Sequence, residues 1–192
     1  MLSPAANLKR SSRLPELVSS SDRISWLEIA ALVACGALAV FAIHLSWRVP
    51  GHAILRAVFP MAAGLAVVPR RSAGLVMTLS AALTGRMLHW GDFGEIQPAA
   101  LASLLARGPM LDLATLGAPV GWRLYSRFVA AGIAANLVAF TTRTIMAALG
   151  YETPGSHQME RLGWLVPASF VLCGAVAGLV SAIAWFRLRS RP

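Results

Sequence analysis

The chain has 192 residues, 57% of them hydrophobic and only 13% charged, where an ordinary soluble domain carries about 25% charged residues. This composition excludes a soluble globular enzyme and a disordered chain, which needs low hydrophobicity and high charge. The net charge is +9, with 17 Lys+Arg against 8 Asp+Glu, yet the arginines flank apolar runs instead of forming a patch, so they read as membrane flanks and not as a nucleic-acid surface. Lys9 is the only lysine, so no Gly-Lys-Ser/Thr tripeptide exists and a P-loop is excluded.

The expected fold is all-α: a polytopic membrane protein built as a bundle of six transmembrane helices. Residues 1–25, polar and rich in Ser and Arg, read as a cytoplasmic tail. The six-helix domain then occupies 26–187, and 188–192 form a basic cytoplasmic tail. The first uncharged run, Ile29 to Trp47, is long enough to span. The second, Ala57 to Pro69, is short and follows Arg56. The third runs from Ser72 to Thr84 and continues across Arg86 to Leu88. The fourth, Pro98 to Val120, is interrupted by Arg107-Gly108-Pro109 and carries Asp112. Pro109 removes a helix hydrogen bond and crowds the preceding turn, so a kink or break is expected there, with Arg107 and Asp112 pairing across it. The fifth, Phe128 to Gly150, contains Arg143. The sixth, Leu162 to Phe186, is free of charge.

Arginine placement sets the orientation. With the N-terminus inside, 11 cations fall on one side and 5 on the other, which puts both termini in the cytoplasm of a multi-pass protein of the cell inner (plasma) membrane. Cys35 and Cys173 lie in apolar runs and read as free thiols. Small residues recur four apart at Ala30 and Ala34, at Ala31, Cys35 and Ala39, at Ala131 and Ala135, and at Gly174 and Gly178. Such rows let helices approach closely or dock another membrane subunit.

The fifth run carries the clearest site signal. Asn136, Phe140 and Arg143 share one helix face, with Thr144 beside it. An arginine below the membrane surface is expected to face a cavity or a partner, not lipid. Arg56 and Arg86 approach the same leaflet from the second and third runs. Together they suit a small anionic or amide-bearing solute, with Trp47 or Trp90 stacking or capping. All four histidines fall on that same side, and His52 and His89 are the candidates for a metal. No metal-ligand spacing such as H-x-x-x-H is present, so an organic solute is preferred. No histidine is expected deep in the membrane and neither cysteine has a base beside it, so the chain is not expected to be an enzyme and no cofactor is implied.

Three stretches add a resemblance. The Ala30-x-x-x-Ala34 helix, the run Val49-Pro50-Gly51 through Pro69-Arg70-Arg71-Ser72-Ala73-Gly74, and Gly108-Pro109-Met110-Leu111-Asp112 are together similar to the substrate-binding S components of energy-coupling-factor (ECF) transporters. The resemblance spans about residues 26–187. It implies a solute held in the outer half of the bundle, no ATPase of its own, and partnership with a coupling transmembrane subunit and an ABC-type ATPase pair. It also implies that Ala30 and Ala34 face the coupling subunit. Leu2 follows Met1, so the amino-terminal histidine of the cobalt and nickel members is missing. A non-transport scaffold or assembly factor, acting through helix–helix contacts, is the alternative.

Overall fold

The computed structural model describes residues 25–44, 53–90, 98–117, 119, 121–151 and 163–187. Among these the chain is helical and contains no strand. The six α-helices are α1 (Trp26–His44), α2 (Ala53–Val67), α3 (Ala73–Trp90), α4 (Pro98–Thr115), α5 (Trp122–Ala148) and α6 (Leu165–Ala182). A π-helical turn, Ile183–Arg187, extends α6. Three of these segments are long and apolar enough to cross a membrane: Trp26–Ile43, Trp122–Ala148 and Leu165–Phe186. The apolar α2 is shorter, at 15 residues. The expected tails lie almost wholly outside the described residues.

Local chemistry sets where each helix begins. α1 opens on a capping box: Glu28 N–H donates to Ser25 Oγ at 3.2 Å, and Ser25 N–H donates to Glu28 Oε2 at 3.0 Å. α2 starts a turn earlier than its uncharged run, at Ala53, and takes Arg56 into its first turns. The charge did not bound the helix: Arg56 folds into it half-buried, with its Nε and Nη2 covered by the protein. α5 likewise begins before its uncharged run and includes Arg123 and Arg127. Arg127 Nη1 donates to Leu116 O at 2.6 Å, tying the end of α4 to the start of α5.

The expected break in the fourth run does not occur. α4 continues through Pro109 and ends at Thr115, with Gly117 at φ 75° just beyond. Nor do Arg107 and Asp112 pair. Residues five apart on an unbroken helix point in different directions, and Asp112 turns to α3, where its carboxylate accepts Gly74 N–H at 2.7 Å and Leu75 N–H at 3.0 Å. These are first-turn donors that α3 cannot satisfy by itself. The crossing is close because Gly74 and Gly108 meet backbone to backbone: a Cβ on Gly108 would lie 2.3 Å from Gly74 O. The Gly108-to-Asp112 spacing thus has a physical reason. One turn of α4 supplies both the bare backbone and the carboxylate.

The helices close into a ring. α1 packs on α2 and α3, α3 on α4, α4 on α5, α5 on α6, and α6 returns to α2. α2 also touches α3, α4 and α5, and so leans towards the middle. Its Ile54, Ala57, Val58, Met61, Ala62 and Leu65 are all buried. One rim is marked by polar ties: Arg70 Nη2 and Glu28 Oε2 form an ion pair at 3.0 Å, close to the Asp112 clasp on α3. The α5–α6 seam runs on glycine. A Cβ on Gly132 would lie 2.2 Å from Gly174 O, and one on Gly178 would lie 2.1 Å from Phe128 O.

Candidate functional site

The polar face of α5 is turned to α6, and Phe170 is the meeting point. Asn136 is buried, and its Nδ2 donates to Phe170 O at 2.6 Å. Phe140 is half-buried and packs on the Phe170 ring, with centroids 5.5 Å apart. The half-buried Arg143 sets its guanidinium 5.9 Å from the centre of the same ring, within range of a cation–π attraction. A single residue of α6 therefore gathers three of the expected site residues. Nothing in the sequence marks Phe170, because a phenylalanine in an apolar run looks the same whether it faces lipid or protein.

The other expected residues are more scattered. Thr144 is exposed, and its hydroxyl donates back to Phe140 O on its own helix at 3.0 Å, a common use of threonine in helices. Arg86 is exposed near the end of α3, a helix that is not a ring neighbour of α5. Arg56 is half-buried on α2. His89 is half-buried in the last turn of α3. Trp90 ends that helix, but its side chain, with all of Trp47 and His52, lies outside the described residues. Among the described residues no group of three His, Cys, Asp or Glu is placed to hold a metal ion. On the outer surface of α1, Ala30 and Ala34 are both exposed, together with Leu38 and Phe41.

Arg107 is the largest side chain in the fully buried core, at 2% exposure. It sits halfway along α4, about 13 Å from either end at 1.5 Å per residue. Its Nη2 donates to Ser103 Oγ at 3.1 Å. Its Nε and Nη1 meet no acceptor among the described residues. The sequence located this arginine mid-span but assigned it the wrong counter-ion. Both described carboxylates are committed elsewhere, Asp112 to α3 and Glu28 to Ser25 and Arg70.

No protein-family model matches the chain, and neither a curated protein nor a solved structure matches it significantly.

Proposed function

We propose that this chain is a membrane-embedded substrate-capture subunit of an ECF-type importer. It binds a small solute within the ring and passes it on through a coupling transmembrane subunit driven by an ABC-type ATPase pair. A vitamin-like organic molecule is the preferred solute and a transition metal the second choice. In this reading all six helices cross the inner membrane and both termini are cytoplasmic. The observation that carries it is a ring of helices that covers two of its charges: Arg107 is buried midway along α4, and Arg143, near the end of α5, is half-buried against α6.

The same placement supports six spans. α4 is not among the segments apolar enough by composition to cross a membrane. Hydropathy, however, counts a charge without regard to its direction. Arg107 is inside the ring and Asp112 caps α3, so neither side chain is presented to lipid in the way that makes intramembrane charge costly. Arg86 lies within a turn or so of the end of α3 and can reach the headgroup level. The exposed Ala30 and Ala34 give the first half of α1 a smooth outer stretch that suits close helix approach.

The test is co-expression with a coupling subunit and its ATPases, followed by copurification and solute uptake. Ala34→Leu, a change on an exposed face, is expected to leave melting of the isolated chain unchanged and to abolish recovery of the complex. Recovery of a different stable complex, with no ATPase, would favour the scaffold reading instead.

A further inference from the structure

Arg107 presents a problem of charge. A guanidinium taken out of water costs several kcal/mol unless it is paired and fully hydrogen-bonded. Among the described residues it has one hydrogen bond, to a neutral hydroxyl, and none to an acid. The groups around its head are also one-sided. Ser103 spends a lone pair on Nη2, which leaves its own O–H to give. Nε and Nη1 bring further N–H donors. Apart from the Ser103 lone pair already taken by Nη2, the polar atoms named at this point all offer protons. An arginine that served only to join helices would be expected to end on a backbone carbonyl or a carboxylate, as Arg127 does on Leu116 O and Arg70 does on Glu28.

We infer that Arg107, with Ser103, is the anchor for the carboxylate of an organic solute held at mid-depth in the ring. The inference rests on the capture reading and deepens it by naming the substrate class. A monocarboxylate matches the site in charge, one negative against one positive, whereas a phosphate dianion would leave excess charge in a dry interior. It also matches in shape, because the planar fork of arginine accepts two carboxylate oxygens side by side. The depth matters as well. Arg107 lies about 13 Å from either end of α4, well below the headgroup level, so a free solute is the source of the anion and a lipid headgroup is not.

The experiment uses the full chain in lipid nanodiscs. Melting is followed with acetate, butyrate and benzoate, and with acetamide, butyramide and benzamide at matched ionic strength. At least one carboxylate is expected to raise the melting temperature saturably, and its amide is not. Arg107→Lys keeps the charge but loses the fork, and is expected to weaken the apparent affinity about tenfold or more. Arg107→Met removes the response and, without ligand, melts no lower than the original chain, because an uncompensated buried charge has gone. No response to any carboxylate, or a response that survives Arg107→Met, would overturn the inference. A Met variant that melts far lower, alongside an unresponsive original chain, would make Arg107 structural. If the Met variant does not fold, the Lys variant decides. Copurification with the coupling subunit separates the two readings. A complex without a carboxylate response removes only the anchor, and a response without a complex removes only the importer.

Discussion

Replacing Gly132 by alanine tests how the α5–α6 seam is held. The new Cβ would lie 2.2 Å from Gly174 O and 3.3 Å from Gly178 N. Both are backbone atoms of α6, so no side chain can swing aside. An ordinary contact begins at 3.4 Å, so the helices must part by more than 1 Å, and a gap of 0.5–1 Å already forfeits a quarter to a half of each contact's attraction. Overpacking of this kind costs about 1–3 kcal/mol. The Asn136–Phe170 bond, one turn along the same seam, lengthens as well, and such bonds inside membranes are worth about 0.6 kcal/mol on average. Alanine returns about 1 kcal/mol of helix propensity. The net loss is therefore about 0.6–2.6 kcal/mol, or a fall in melting temperature of roughly 1–10 °C for a chain of this length.

Gly64→Ala is the matched control. Its new Cβ would meet chiefly the Met77 side chain, with Sδ at 2.4 Å. A thioether is flexible and can move, so the propensity gain offsets the crowding and melting stays close to that of the original chain. Tryptophan-fluorescence melting of both variants in detergent supplies the comparison. If Gly132→Ala melts as high as Gly64→Ala, the seam is not set by backbone contact and the reasoning fails.

Further expectations follow from other contacts. Asp112→Ala removes the acceptor for two N–H groups at the start of α3, and is expected to lower stability by about 1–3 kcal/mol, with Asp112→Asn losing less, read by the same melting assay. Asn136→Leu should cost no more than about 2 kcal/mol, and combined with Gly132→Ala the effects should be less than additive in a double-mutant cycle, since both act on one seam. Glu28→Gln removes a pair at the rim that water can reach, so melting is expected to stay close to that of the original chain; a clear fall would mean that the Arg70 tie holds the rim together.

The helices were legible in the sequence because apolar run length marks them well, and the reasons for their ends were less so. The Ser25-x-x-Glu28 capping box that starts α1 was missed, because the uncharged run was read from Ile29 without its flanking residues. The starts of α2 and α5 were placed too late because Arg56, Arg123 and Arg127 were treated as boundaries. A charge bounds a helix only when its stem cannot lie along the surface. The Asn136, Phe140 and Arg143 face was correctly grouped by helical period, since that period depends on the backbone alone. Its partner Phe170 was not found, because a contact between two helices depends on their rotation, which no local pattern encodes. The Arg107–Asp112 pairing failed for a similar reason. Charge attraction suggested it, but the unbroken helix pointed Asp112 at α3.

The Asp112 clasp also changes what α3 and α4 can do. The two helices are already joined in sequence after Trp90, and the carboxylate fastens them again at the opposite end, closing a loop between residues 74 and 112 with hydrogen bonds instead of a covalent bridge. Any widening of the ring that parts the start of α3 from the last turns of α4 must first break both of these hydrogen bonds.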